Sequence, residues 1–231
     1  MRFPITLTLM AASALAADPN GEEIIKKSME AQGGEKLKSV KTVQFTGKAF
    51  IGGKIEAPTV LRAKRPLKYR TEIEIQGRPT VEAFDGQVKW VSKEGVPEKF
   101  TDEGAKSALD SADPIGSPLF NYREKGNTVE FLGKESNEGQ ACYKFSAKMK
   151  SGNVATVFVD QKSYLTFKII TKAGGLEAES KLNDYRNVSG ILLPFSNSVK
   201  INGQDVMQFK YEKIELNVPM DDSLFTLRAK K

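Results

Sequence analysis

The side chains that could carry acid–base or nucleophilic chemistry are a single cysteine and three pairs of neighbouring carboxylates. The pairs are Glu22-Glu23, Asp102-Glu103 and Asp221-Asp222. The first two come at predicted helix starts, where a carboxylate stabilises the free amides of the first turn. Cys142 has only Lys144 nearby in the sequence to lower the pKa of its thiol. These residues fit structural roles better than catalytic ones.

The chain contains no histidine. This absence excludes Ser-His-Asp and Cys-His catalytic arrangements and every histidine-ligated zinc site. The sequence also lacks a P-loop, a dinucleotide-binding glycine motif and an EF-hand loop. We therefore expect a protein that is not an enzyme, with no catalytic residue, no metal site and no cofactor.

The net charge of +6 is modest and spread along the chain. Without a basic stripe interleaved with aromatic residues, the sequence does not predict nucleic-acid binding. A weak attraction to an anionic membrane surface is compatible with this charge. One cysteine cannot form an internal disulfide.

The first residues have the pattern of an export signal. Arg2 precedes an apolar run from Phe3 to Leu15, and Ala14-Leu15-Ala16 has the small-x-small form of a cleavage site. We expect a signal peptide over residues 1–17 and one domain over residues 18–231. A buried N-terminal helix is the alternative. Because no cysteine follows the apolar run, we expect no lipid anchor. We expect the mature chain to be a periplasmic or secreted monomer.

Beyond the signal, the apolar periodicity changes from helical to alternating. Asn20 to Gln32 is predicted to be a helix, capped by Asn20 and ended by Gly33-Gly34, with a further turn over Glu35 to Val40. Alternating runs then recur from Thr42–Ile51 to Asp205–Leu216. They predict about ten or eleven antiparallel strands.

Three places break the strand rhythm. Thr101 to Lys125 predicts a short helix and a long excursion punctuated by Asp113-Pro114 and Ser117-Pro118, and such excursions tend to be functional. In Gly190–Ile201, Pro194 removes one amide donor from a strand, which predicts an edge or a bend. In Asp205–Leu216 the apolar parity switches, which predicts a bulge near Glu212-Lys213.

The fold class that follows is mainly β with few α: an unclosed antiparallel β-barrel with helices covering its concave face. A long twisted sheet curls, and its apolar inner face must be covered. The few predicted helices are weakly apolar, so they would leave a ligand cavity beneath them. An ordinary packed β-sandwich without a ligand is the alternative.

Four segments follow one another along the chain: Lys64-Arg65-Pro66, Phe84-Asp85-Gly86 with Trp90, Tyr185-Arg186 with Gly190 and Leu193-Pro194-Phe195, and Asp222-Ser223-Leu224-Phe225. In this order they resemble the LolA/LolB superfamily of periplasmic lipoprotein carriers and outer-membrane lipoprotein-sorting proteins. The resemblance implies an unclosed barrel whose cavity takes the acyl chains of a lipid or lipoprotein cargo. It also implies that Arg65 latches the helical lid.

The resemblance leaves more than one function open, because members of this superfamily differ in activity. A carrier that moves its cargo between envelope membranes is the first expectation, with an envelope membrane or an acceptor protein as partner. A lipid-sensing or partner-binding module of the same fold is the second. A non-hydrolytic enzyme acting on an apolar substrate is the third.

The candidate lipid-binding residues are apolar side chains taken from alternate strand positions, and each is also compatible with ordinary core packing. They are Phe45, Leu61, Tyr69, Ile73, Trp90, Phe131, Phe145, Leu193 and Phe195. Met29 and Leu109 are expected to plug the trough from the helical side. Arg65 has the alternative of a solvated cation at a strand end.

Overall fold

The structure is a computed structural model that describes residues 20–93, 95–100, 108–110 and 112–227. The predicted signal peptide and the predicted helix start at Asp102-Glu103 lie outside the described residues. In the part of the chain that the structure describes, no helix has the length and apolar character needed to cross a membrane.

Two helices precede the sheet, α1 at Gly21–Gln32 and α2 at Glu35–Ser39. The side-chain oxygen of Asn20 accepts a hydrogen bond from the amide of Glu23 at 2.8 Å, which caps the start of α1 as predicted. Gly33 ends α1 with a φ of 136°, a value that a residue with a Cβ rarely adopts. Ile24 and Ile25 face the sheet and are buried.

Within the described part of the chain, thirteen antiparallel strands form one sheet. They are β1 Thr42–Ile51, β2 Ile55–Lys64, β3 Lys68–Ile75, β4 Arg78–Phe84, β5 Lys89–Lys93, β6 Val96–Lys99, β7 Thr128–Asn137, β8 Gln140–Lys148, β9 Val154–Asp160, β10 Thr166–Ala173, β11 Leu176–Val188, β12 Ile191–Ile201 and β13 Gln204–Leu216. The spatial order is β6-β5-β4-β3-β2-β1-β13-β12-β11-β10-β9-β8-β7. Because β6 and β7 do not pair with each other, the sheet is an unclosed half-barrel, and the predicted fold class is confirmed.

The strand count exceeds the predicted ten or eleven, and β6 is a strand that the sequence did not indicate. Val96–Lys99 is short and contains Pro97, which is tolerated because β6 pairs only with β5 at the edge of the sheet. At the other edge, β7 continues past Gly133 to Asn137. The register shifts between Phe131 and Gly133, and this local irregularity lets the strand continue past the glycine.

The predicted bulge in β13 is confirmed. Thr46 pairs with Lys213 and Gly47 pairs with Tyr211, so Glu212 is the extra residue. The bulge brings Tyr211 and Ile214 to the same buried face although their spacing is odd. An added Cβ on Gly47 would lie 2.2 Å from the carbonyl oxygen of Lys210, so this crossing requires glycine.

Pro194 was predicted to mark an edge or a bend, and the edge alternative is wrong for the strand as a whole. β12 lies between β11 and β13 in the interior of the sheet. Pro194 itself pairs with Tyr185 of β11, whereas the pairing of β12 with β13 begins only at Ser196. The proline therefore occupies a segment where β12 has separated from β13, so it has one ladder neighbour as an edge residue would.

The core has two main parts, both on the inner face of the sheet. One packs α2 and residues near Phe120 against β1, β12 and β13, and the other packs α1 and residues near Tyr122 against β8 and β9. We call α1, α2 and residues 112–127 the cover, because they lie over the inner face. A smaller cluster around Trp90 lies on the outer face, where residues 222–227 return across the sheet.

Candidate functional site

A cavity of about 560 Å³ lies between the inner face of the sheet and the cover. We call it the central cavity. Its sheet side is formed mainly by β10, β11 and β12 with parts of β1, β2 and β13. Its other side is formed by Asp110, residues 113–118 and Gln32. The lining side chains from the sheet include Phe45, Leu61, Thr166, Ile169, Thr171, Leu176, Ala178, Ser180, Leu182, Val199, Ile201 and Tyr211. The volume falls within the range of small-molecule sites in proteins.

The central cavity has an apolar floor with small side chains in its middle. Ala178 pairs with Ile201, and Ser180 pairs with Val199, so these four residues form adjacent rows across β11 and β12. Small residues leave open the space that larger ones would fill. The hydroxyl of Tyr185 donates to the carbonyl oxygen of Thr166 at 2.6 Å, and burial raises the pKa of Tyr185. The floor also carries the side-chain oxygen of Asn197, which is buried and has no hydrogen-bond partner among the described residues.

The cover is held over the cavity by contacts between its own parts. The side-chain amide of Gln32 donates to the carbonyl oxygen of Ile115 at 3.1 Å, which joins α1 to residues 112–127. At the other end of α1, the hydroxyl of Tyr122 donates to Glu22 at 2.6 Å. This bond, followed by one from Arg123, lowers the pKa of Glu22. Both ties link segments that are far apart in the sequence.

Arg65 joins the sheet to two parts of the cover, α2 and residues 112–127. Its guanidinium donates to the carbonyl oxygens of Leu37 and Val40 at 2.6 and 3.0 Å, at the end of α2. It also donates to the carboxylate of Asp113 at 3.1 to 3.3 Å and lies 5.1 Å from the ring centre of Phe120. The Arg65 and Asp113 side chains are only 19% and 13% exposed. A solvated cation is therefore excluded for Arg65.

A second carboxylate, that of Asp110, bonds to the chain reversal between β8 and β9. Asp110 accepts hydrogen bonds from the hydroxyl of Ser151 at 2.7 Å and from the side-chain amide of Asn153 at 2.8 Å. Burial nevertheless raises the pKa of Asp110, because the two bonds only partly offset desolvation. Asp110 and Asp113 both line the central cavity opposite the floor, so the charged groups of the lining are concentrated there.

The structure separates the nine predicted cavity residues into groups. Phe45 and Leu61 line the central cavity. Tyr69, Leu193 and Phe195 belong to the core that includes α2, and Phe131 and Phe145 pack in the core under α1. Ile73 is partly buried on β3 and does not line the central cavity.

Trp90 lies on the opposite side of the sheet from the central cavity. It pairs with Ala83, whose side chain alternates in direction with that of the inner-face residue Phe84. The indole nitrogen donates to the carbonyl oxygen of Phe225 at 2.8 Å, and Arg70 lies 5.6 Å from the ring centre. Trp90 therefore holds the C-terminal segment against the outer face.

The two predicted plug residues, Met29 and Leu109, both pack against the core. Leu109 lines a neighbouring cavity of about 470 Å³, which shares Asp110, Asp113 and Pro118 with the central cavity. Cys142 is buried on the outer side of β8, with its thiol 3.5 Å from the carbonyl oxygen of Glu135. Burial raises the pKa of this thiol, which suits a structural role.

Sequence reasoning missed most of the floor of the central cavity. Leu182, Val199 and Ile201 alternate in the same way as the predicted cavity residues. Six of the nine predicted residues are aromatic, and of these six only Phe45 lines the central cavity. The signal that could have identified the floor is the alternation of small and aliphatic residues along β11 and β12.

No family model matches the chain, and no curated protein matches it. Solved structures do. A domain assigned to the outer membrane lipoprotein-sorting proteins, from Vibrio parahaemolyticus, is similar with a TM-score of 0.63 at 10% identity, over 89% of this chain and 97% of that one. The LolA superfamily protein NE2245 from Nitrosomonas europaea is similar with a TM-score of 0.59 at 16% identity, over 89% and 97%.

A DUF1329 family protein from Desulfovibrio piger is also similar, with a TM-score of 0.60 at 12% identity, over 89% of this chain and 96% of that one. At these identities the likeness is one of fold. The resemblance that the sequence motifs indicated is confirmed at that level: the chain has a LolA-like fold along nearly its whole described length.

Proposed function

We propose that this chain is a periplasmic or secreted carrier that binds an acyl chain of a lipid or lipidated protein in the central cavity, for transfer between envelope membranes. The observation that carries the proposal is the cavity of about 560 Å³, whose floor is mainly aliphatic and whose cover is a separate layer of helices and turns. The LolA-like fold supports the proposal, because it places an open sheet under such a cover.

The energetics of this site suit an acyl chain. Each buried methylene gains about 0.8 kcal/mol, so a chain of about 15 methylenes gains roughly 12 kcal/mol before the cost of ordering is subtracted. Such binding requires no catalytic group and no directional bond. A headgroup or a peptide could stay outside in water, while the carboxylates of Asp110 and Asp113 remain on the cover side.

Arg65 has a defined part in this proposal. Exchange of an acyl chain requires the cover to move from the floor, and Arg65 bonds to both α2 and Asp113 of the cover. We propose that breaking these bonds accompanies opening, so that Arg65 acts as the latch. The same contacts hold the closed state when the cavity is filled.

A pair of matched substitutions tests the cavity. Ser180→Phe places an aromatic ring on the floor, whereas Ser198→Phe places the same ring on the neighbouring strand with the opposite side-chain direction, since Ser198 pairs with Lys181 and not with Ser180. We expect Ser180→Phe to reduce uptake of a fluorescent fatty acid at least tenfold and Ser198→Phe to leave it within twofold. Equal uptake by the two variants would count against the central cavity as the binding site.

Native mass spectrometry of the protein purified from its own envelope gives the cargo class. A retained lipid or lipidated protein is expected. An empty cavity together with a tightly bound envelope protein would favour the partner-binding module, and turnover of an apolar substrate would favour the enzyme.

A further inference from the structure

Among the chain reversals at one end of the sheet are those that join β1 to β2, β8 to β9, β10 to β11 and β12 to β13. They are residues 52–54, 150–153, 174–175 and 202–203, and with their flanking residues they form what we call the rim. The register places three of them side by side, because Ile51 pairs with Met207, Met207 with Val199, and Ile201 with Ala178. Lys148 and Lys172 both pair with Val154, which brings the fourth to the same end.

The rim carries apolar side chains that are exposed. Ile55 is 41% exposed, Val154 is 40% exposed and Leu176 is 55% exposed. Leu176 also lines the central cavity together with Ala178 and Ile201, so the exposed apolar surface continues from the rim into the cavity floor. No other described residue buries these side chains, and exposed aliphatic residues that lie together are typical of membrane or protein interaction sites.

The charge of the rim is positive once its ion pairs are considered. The acids of its hairpins are paired: Glu56 with Lys48, Glu177 with Lys172, and Asp205 with Lys200. Lys54 and Lys150 have no ion-pair partner among the residues that the structure describes. Unpaired lysines next to exposed aliphatic side chains favour an apolar partner with a negatively charged surface.

We propose that the rim docks on an anionic lipid bilayer, with Ile55, Val154 and Leu176 inserted at the headgroup level and Lys54 and Lys150 against the lipid charges. Single aliphatic residues separated by glycine turns suit a fluid interface, which fills around each tip. An added Cβ on Gly53, Gly174 or Gly203 would meet no atom within 4 Å, so these tips stand clear of the rest of the molecule. The inference builds on the proposed function, because docking brings the cavity mouth to the membrane.

Co-sedimentation with vesicles tests the docking. The probes are vesicles of phosphatidylglycerol with phosphatidylethanolamine and vesicles of phosphatidylcholine alone. The full chain is expected to bind the anionic vesicles more tightly, with affinity that falls as salt rises. Ile55→Asp combined with Val154→Asp is expected to weaken binding at least tenfold. Leu132→Asp is the matched control, since Leu132 is 47% exposed but lies on the edge strand β7, away from the rim.

The lysines are tested separately. Replacing Lys54 or Lys150 with Gln is expected to weaken binding to the anionic vesicles about fivefold each, with little effect on the neutral ones. Failure of the full chain to bind anionic vesicles would overturn the proposal, as would an equal loss for Leu132→Asp. A dimer in analytical ultracentrifugation that the Ile55→Asp, Val154→Asp variant disperses would overturn it in favour of a second copy.

Uptake of a fluorescent fatty acid from solution separates this inference from the proposed function. Ile55 and Val154 do not line the central cavity, so their double variant should take up the probe as the unaltered chain does. Uptake without vesicle binding would overturn docking alone. Vesicle binding without uptake would overturn the acyl-chain carrier and leave the docking surface in place.

Discussion

Replacing Arg65 with Met is expected to weaken the folded state and to loosen the cover. The substitution keeps most of the aliphatic stem but removes the donors to Leu37, Val40 and Asp113. Removing one partner of a buried ion pair costs about 3–5 kcal/mol. Lys125 remains 3.1 Å from Asp113 and compensates part of the loss. We therefore expect the free energy of unfolding to fall by about 2–3 kcal/mol.

Urea unfolding followed by circular dichroism at pH 7 measures this change, and dissociation of a bound fluorescent fatty acid measures the latch. Arg123→Met is the matched control, because Arg123 also joins two parts of the cover but is 70% exposed in its ion pair with Glu22. An exposed pair contributes about 0–1 kcal/mol. Arg65→Met should release the probe faster than both the unaltered chain and Arg123→Met.

Two results would refute the reasoning for Arg65. A loss of stability below about 1 kcal/mol would place the residue in the range of surface pairs. A loss of stability with unchanged release would show that the Arg65 bonds stabilise the fold without controlling the cover.

Three further predictions concern the frame around the site. Gly47→Ala should lower the free energy of unfolding in urea by about 3 kcal/mol or more, because the added Cβ would meet the Lys210 carbonyl oxygen. Gly53→Ala is the control at an open turn with a φ of 68°, and it should cost only about 1–2 kcal/mol. Trp90→Phe should free the C-terminal segment by losing the bond to Phe225, seen as faster proteolysis after residue 217, whereas unchanged proteolysis would contradict this role. A hydrogen bond from Lys64, followed by one from Lys68, lowers the pKa of Asp222 to about 2 in the folded chain, below its value in the unfolded chain. The stability that ionised Asp222 contributes is therefore complete above the unfolded pKa, and it is lost as pH falls through the folded pKa. Asp222→Asn should therefore flatten the decline of the melting temperature between about pH 4 and pH 2, and an unaltered slope would contradict the assignment.

Local chemistry made several features predictable from the sequence. Asn20 capped α1, Asn202-Gly203 formed the two-residue turn between β12 and β13, and the parity switch near Glu212 marked a bulge. Each of these depends on residues within a few positions, so the sequence carries the whole signal. β6 could not be predicted in this way, because a short strand containing Pro97 forms only where β5 offers it an edge.

Alternation follows from the backbone of a strand, so the sequence alone predicts which side chains share a face. It does not identify the inner face, and Trp90, which was predicted to line the cavity, lies on the outer one. The tertiary structure decides that face, and also which inward side chains pack and which leave space. Phe145 and Leu193 are fully buried under the cover, whereas Ser180 and Val199, with smaller side chains, line the central cavity. What lies opposite each inward side chain is set by contacts such as Gln32 with Ile115, 83 residues apart, and no local pattern encodes such a distance.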